Sequence, residues 1–135
     1  MKIGYLKTQI VTVVHIALTA VFLLLASHVY GGQVARLDAT VQHLITLVAQ
    51  SGLTFIRNDV RYTGKEASEH MRKKYMHFRD KIKAPEDFIE LCASRSLLSG
   101  RPYLVINEKG GKISASEWLR TELAMYRTSV ADESY

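Results

Sequence analysis

The chain has 135 residues, of which 47% are hydrophobic and 23% charged, a composition typical of one globular domain. Its 18 Lys and Arg residues include Lys2 and Lys7 in an acid-free stretch over residues 1–31, which leaves 16 basic against 13 acidic side chains in the remainder. So small an excess argues against nucleic acid as a partner. The single cysteine, Cys92, excludes an internal disulfide and is expected to be a buried, inert thiol.

Residues 1–31 have the pattern of a secretory signal peptide. A basic start precedes an apolar run over residues 10–26, and Val29-Tyr30-Gly31 places small residues three and one before a cut after Gly31. We therefore expect export to the periplasm with cleavage near Gly31. In the alternative, the run stays uncut and anchors the chain in the inner membrane with the domain outside, because its length is at the short limit of a membrane span.

The remainder predicts a single α+β domain over residues 32–127, followed by a frayed polar tail over residues 128–135. We expect about four helices and two short β segments or hairpins. Apolar spacing, a capping box at Thr63 and Glu66, and Pro85 as a first helical residue define the helices. These cover residues 33–50, 64–79, 85–95 and 116–127. The β segments are residues 53–57 returning over 60–62, and residues 103–107 returning over 112–113.

Two turn segments contain more Arg and Tyr than a turn requires. One covers residues 55–62 and the other residues 96–103, and Arg and Tyr are the side chains that most often anchor interfaces. Together with a histidine on the helix between them, they predict a binding surface. Its expected residues are Arg57, Asn58, Tyr62, His70, Arg101 and Tyr103.

An enzymatic alternative uses the same region. His70 would act as base, oriented by Glu66, and a loop serine such as Ser99 would be the nucleophile. No catalytic sequence motif supports this alternative. Glu66, His70 and His77 share a helical side, but the two histidines are about 10 Å apart along the axis, so we expect neither a metal nor a cofactor.

A basic band follows on the same helix and beyond it, consisting of Arg72, Lys73, Lys74, Arg79, Lys81 and Lys83. A run of charges is usually a solvated face, and we expect that here. The alternative is that the band binds an anionic ligand.

The ordered set of motifs resembles a known family. It consists of Phe55-Ile56-Arg57-Asn58, Glu66-Ala67, His70-Met71, Phe88-Ile89, Ser99-Gly100-Arg101-Pro102-Tyr103 and Glu117-Trp118-Leu119. The chain is similar in these residues to the YfeK-like family of small periplasmic bacterial proteins, which implies a periplasmic location and no known activity. Asp59 stands where the family turn usually has glycine. Relatives carry cysteines where this chain has Leu53 and Asn107.

We therefore expect a small, non-enzymatic binding or interaction module of the cell envelope. Its partner would be an envelope protein or an anionic envelope component. The protein would contact the membrane only if the leader, residues 1–31, is uncleaved. The alternatives are the small hydrolase or transferase described above, and an anchored accessory domain.

Cleavage of the leader is tested by intact mass. When the full chain is expressed in a Gram-negative host, we expect the periplasmic product to lack residues 1–31. Gly31→Leu is the matched control, because a large residue directly before the cut should block processing. A full-length mass in the membrane fraction for both forms would contradict cleavage and favour the anchor.

Overall fold

The structure is a computed structural model that describes the backbone of residues 2–132 and the side chains of residues 10–24 and 31–132. The chain divides into two compact units, Met1–Arg36 and Leu37–Tyr135. The first unit is helical throughout its described part. The second contains the sheet, the hydrophobic core and a cavity lined by Arg57 and His70.

Helix α1 covers Lys2–Gln50 without interruption. The predicted start at residue 33 is therefore wrong, since the helix continues through Gly31 and Gly32. Each glycine costs a helix interior only about 1 kcal/mol relative to alanine, and unlike proline it keeps its backbone donor. The helix ends before Gly52, which has a φ of 67°.

About half of the leader, residues 1–31, falls on side chains that the structure does not describe. Lys2 and Lys7 are among them, as are Val29 and Tyr30 of the expected cleavage site. Within the described stretches, no helix combines the length and hydropathy needed to cross a membrane.

Four strands form one antiparallel sheet in the order β2-β1-β3-β4. They are β1 (Thr54–Arg57), β2 (Val60–Thr63), β3 (Leu104–Ile106) and β4 (Lys112–Ser114). The two predicted hairpins are confirmed. The sequence did not predict that β1 pairs with β3, with Phe55 opposite Val105, and so unites the hairpins in one sheet.

The turn of the first hairpin has both central residues in the left-handed region. Asn58 has a φ of 50° and Asp59 a φ of 66°. This is the backbone that a two-residue hairpin turn of type I′ requires. Asp59, at the position where the family resemblance implies glycine, therefore keeps the turn.

Helix α2 covers Gly64–Phe78 and begins with the predicted capping box. The Thr63 amide donates to Glu66 Oε2 at 2.8 Å, and the Glu66 amide donates to Thr63 Oγ1 at 3.3 Å. Gly64 is required for packing, because a Cβ there would lie 2.2 Å from the Val48 carbonyl oxygen at the end of α1. A 3₁₀ turn, Arg79–Lys81, follows α2.

The third helix differs from the expected regular helix over residues 85–95. It is α-helical only over Pro85–Phe88, which we call α3, and continues as a π-helix over Ile89–Ala93. The wider π turn brings residues four and five apart onto one side. This geometry accommodates four fully buried core residues, Phe88, Ile89, Cys92 and Ala93.

Helix α4 covers Ala115–Asp132 and extends past the predicted end at residue 127. No glycine or proline interrupts residues 128–132, and the Thr128 hydroxyl donates to the Ala124 carbonyl at 3.1 Å. The rest of the predicted tail, residues 133–135, lies outside the described residues.

One hydrophobic core joins all these elements of the second unit. The C-terminal part of α1 contributes Val41, Leu44, Ile45 and Val48, and the sheet contributes Phe55 and Val105. Helices α2 and α4, the π-helix and the segment after α2 complete it, notably through Met71, Tyr75, Ile82, Phe88, Cys92, Leu119 and Leu123. The buried stripes expected for these helices are thus confirmed in their central residues.

The strand register places Leu53 and Asn107, the two positions where the family resemblance implies cysteines, opposite each other. Thr54 pairs with Ile106, so Leu53 and Asn107 are the next opposed pair of the antiparallel β1–β3 ladder. We expect Leu53→Cys/Asn107→Cys to form a disulfide under oxidising conditions. The closed loop of about 55 residues would stabilise the fold by up to about 4 kcal/mol.

The measurement compares urea unfolding of the oxidised and reduced forms of the same double variant. This comparison removes the cost of losing Asn107, whose Oδ1 accepts from the amides of Lys109 and Gly111. Cys92 contributes one free thiol in every form, so more than one free thiol per chain after oxidation of the folded protein would contradict the β1–β3 register.

Candidate functional site

A cavity of about 230 Å³ lies where the first hairpin meets α2. Apolar walls are formed by Phe55, Ile56, Ala67 and Met71. The polar lining consists of Arg57, Tyr62, Glu66, Glu69, His70, Lys73 and Tyr103. Four of the six predicted binding residues therefore line one cavity, although they come from three separate segments of the chain.

Arg57, the last residue of β1, is at the centre of this cluster. Its Nη1 lies 2.9 Å from Nδ1 and 3.1 Å from Nε2 of His70, and its Nη2 donates to the Tyr62 hydroxyl at 3.3 Å. The guanidinium carbon lies 5.1 Å from the centre of the Tyr62 ring, within cation–π range. Both partners of Arg57 are neutral at neutral pH.

His70 links the hairpin to the second turn segment. Its Nε2 lies 3.2 Å from the Tyr103 hydroxyl, and the two rings meet edge to face at 6.0 Å between centroids. Burial lowers the pKa of His70 to about 4, and the positive charges of Arg57, Lys74 and Lys73 act in the same direction. The imidazole is therefore neutral at neutral pH, which allows it to accept a hydrogen bond from Arg57.

Lys74 is buried directly behind this cluster, with only 6% of its surface exposed. Its Nζ donates to the Arg95 carbonyl at 3.1 Å and lies 5.2 Å from the centre of the Tyr103 ring. Burial lowers the pKa of Lys74. Within the described residues, no carboxylate forms an ion pair with Lys74 or with Arg57.

The prediction of a fully solvated basic band is therefore wrong for Lys74 and confirmed for the other five members, which are exposed. The sequence contained an indication of this burial. Lys74 follows Met71 by three residues and precedes Tyr75, so it lies on the apolar stripe of α2. Its membership in a run of charges concealed that position.

Asn58 and Arg101, the other two predicted binding residues, lie beside the cavity. The Ser99 hydroxyl donates to Asn58 Oδ1 at 2.6 Å, and the guanidinium of Arg101 forms an ion pair with Asp59. These contacts attach the loop over residues 94–102 to the hairpin turn. The two turn segments that the sequence singled out are thus in direct contact.

The predicted catalytic relay is not formed. Glu66 accepts from the Thr63 backbone and hydroxyl, Ser99 donates to Asn58, and His70 contacts Arg57 and Tyr103. In the described part of the chain, no hydrogen bond joins His70 to Glu66 or Ser99. The same described residues also contain no group of three metal-ligating side chains.

Fold and site together define a small α+β domain with a cavity whose polar lining is centred on an arginine, a histidine and two tyrosines. The protein-family model with the description "Family of unknown function (DUF5329)" matches residues 35–127, and the chain belongs to this family. It is 34% identical over 89 residues to the "Uncharacterized protein YfeK" of Salmonella typhimurium, covering 65% of this chain and 74% of that protein. The resemblance to the YfeK-like family is thereby confirmed. No solved structure shows significant similarity to the chain.

Protonation of His70 is expected to destabilise the fold at acid pH. Because its pKa is lowered from 6.5 to about 4 on folding, the unfolded state binds the proton more readily between these values. The stabilisation is complete above pH 6.5 and decreases as the pH falls toward 4. One proton limits the slope to about 1.4 kcal/mol per pH unit, and the partial exposure of the ring reduces it further.

The measurement is the free energy of unfolding as a function of pH, with the pKa of His70 followed by NMR. We expect His70→Gln to remove this part of the pH dependence. His77→Gln, which changes an exposed histidine of the same helix, should retain it. Lys74→Met should raise the pKa of His70 by removing a neighbouring charge. An unshifted His70 in the unmodified chain would contradict the buried cationic cluster.

Proposed function

We propose that this protein is an exported, non-enzymatic binding module of the cell envelope, which receives an anionic group of an envelope component in the cavity beside Arg57. The observation that best supports this proposal is the set of side chains that bind the Arg57 guanidinium. The guanidinium is partly buried, yet its hydrogen-bond partners among the described side chains are His70 and tyrosines, and no described carboxylate forms an ion pair with it. An anion would add the Coulombic attraction between opposite charges and bidentate geometry to these hydrogen bonds, so it would be a better partner than a neutral side chain.

The charge balance around the cavity favours the same ligand class. Lys73 lines the cavity and Lys74 is buried behind it. Glu66 and Glu69 also line the cavity, but these two carboxylates are exposed, as is Lys73, and Glu66 is engaged in the capping box of α2. The less exposed charges at the site, Arg57 and Lys74, are both cationic. The hydrogen bonds from Thr63 lower the pKa of Glu66, which shows that its charge is already satisfied locally.

The size and lining of the cavity restrict the ligand further. At about 230 Å³ it is smaller than the roughly 300–1,000 Å³ of sites for drug-sized molecules. A single carboxylate or phosphate with a short apolar extension suits this volume. Arg57 and the two tyrosine hydroxyls would bind the head group, and Phe55, Ile56 and Met71 would contact the apolar part.

The location in the envelope is supported by the leader over residues 1–31 and its basic and apolar pattern. The anchored accessory domain remains the alternative if the leader is retained. Either form exposes the same cavity outside the cytoplasm, so the binding proposal does not depend on cleavage.

The proposal is tested by calorimetric titration of the full-length chain with hexanoate and hexyl phosphate, with hexanol as the uncharged probe. We expect the anions to bind and hexanol to bind much more weakly. Arg57→Gln should weaken anion binding by about 10- to 100-fold, because it removes a hydrogen bond to a charged group worth about 1.5–3 kcal/mol. Bound anion should also raise the pKa of His70.

Arg61→Gln is the matched control. It changes an exposed arginine of the same hairpin that does not line the cavity, and it should leave anion affinity unchanged. Both variants are first compared with the parent chain in urea unfolding. Equal affinities for hexanoate and hexanol, or equal losses in the two folded variants, would refute an anion site at Arg57.

A further inference from the structure

The loop over residues 94–102 presents two adjacent leucines to solvent at its tip. Leu97 is 64% exposed and Leu98 is 99% exposed, which makes Leu98 the most exposed large hydrophobic side chain among those described. Neither leucine lines the cavity. The tip is therefore a feature separate from the site around Arg57.

The tip is held in place by its own hydrogen bonds. The Ser96 amide donates to the Arg101 carbonyl and the Gly100 amide donates to the Ser96 carbonyl, both at 2.9 Å. An isolated β-bridge joins Arg95 to Pro102. Because the loop is fixed on both sides of the tip, the leucines are presented without a large entropic cost of ordering.

The area of the tip favours a lipid surface over a protein partner. A stable protein interface buries about 1,200–2,000 Å² in total, of which two leucine side chains supply only a small part. Shallow insertion of two leucines into a membrane interface needs no larger surface. Each leucine removed from water contributes about 1.5–3 kcal/mol.

Positive charge lies next to the leucines. Arg95 and Arg101 flank the tip, and both side chains are more than half exposed. Arg101 is paired with Asp59, whereas Arg95 and Arg120 share the single carboxylate of Glu90, so this second group retains a net positive charge. Basic residues near an anionic lipid surface each add about 1 kcal/mol of attraction.

We propose that Leu97 and Leu98 insert into the headgroup region of an anionic membrane, with Arg95 and Arg101 at the level of the lipid phosphates. This contact differs from anchoring through residues 10–26, since it uses the folded domain and persists if the leader is removed. It also does not depend on a ligand in the cavity.

The test places an environment-sensitive nitrobenzoxadiazole label at the tip of the full-length chain. Leu98→Cys provides the labelling site, because the natural thiol of Cys92 is fully buried and its burial raises its pKa to about 11. Met76→Cys is the matched control. It lies 74% exposed on α2, two positions after the inward-facing Lys74 and so on the far side of that helix.

With phosphatidylcholine vesicles that contain phosphatidylglycerol, we expect the label at position 98 to brighten several-fold and to be quenched by nitroxide lipids. The label at position 76 should keep the fluorescence that it has in buffer, and nitroxide lipids should not quench it. Adding Leu97→Ser to the variant labelled at position 98 should raise the lipid concentration that gives half of the fluorescence increase by about 10-fold. Because the readout is local, binding of vesicles by the N-terminal apolar run does not mimic it.

Three results would overturn the proposal. The first is that the fluorescence of the label at position 98 does not increase although the chain is bound to vesicles. The second is an equal response at positions 76 and 98. The third is a response unaffected by Leu97→Ser, which would show that the leucines do not enter the lipid.

Discussion

The pairing of β1 with β3 is the interaction on which the rest of the domain depends. Each hairpin alone joins residues that are close in sequence, and an isolated two-stranded hairpin is marginally stable in water. The β1–β3 ladder joins Phe55 to Val105, about fifty residues apart, and makes one four-stranded sheet with both residues buried against the helices. The same ladder brings Tyr103, just before β3, to His70 and the loop over residues 94–102 to the first hairpin turn. The ladder therefore connects the hydrophobic core with the cavity and brings Tyr103 to the cavity wall.

The second constraint is positive charge without a matching carboxylate. Lys74 is buried with a backbone carbonyl and a tyrosine ring as its partners, and Arg57 is bound by an imidazole and a phenol. Replacing buried charges by apolar side chains is often neutral or stabilising in other proteins, so packing alone does not account for these cations. Burial lowers the pKa of His70, and these cations lower it further, so the imidazole beside Arg57 is neutral at neutral pH. The anion-binding proposal assigns a use to this arrangement.

The sequence predicted the features that depend on neighbouring residues. The Thr63–Glu66 capping box, the Asn58-Asp59 turn and the start of a helix at Pro85 follow from local hydrogen bonding and backbone preference. Of the six predicted binding residues, Arg57, Tyr62 and Tyr103 converge because they lie in or next to strands that pair. His70 reaches them from α2. The strand register between β1 and β3 was not predictable from local pattern, since nothing in either segment specifies its distant partner. The π-helix and the burial of Lys74 likewise depend on packing between elements.

The stability of the hairpin turn does not by itself explain why residue 59 is an aspartate. Glycine would adopt its positive φ with less strain, and the left-handed region costs other residues roughly 1 kcal/mol or more. The ion pair between Asp59 and Arg101 returns less than about 1 kcal/mol, because both side chains are mostly exposed. The two contributions are similar in size, so stability gives aspartate no clear advantage here. What aspartate adds is a second attachment, beside the Asn58–Ser99 hydrogen bond, for the loop that carries Leu97 and Leu98. Its advantage over glycine is therefore positional, since it fixes that tip relative to the cavity.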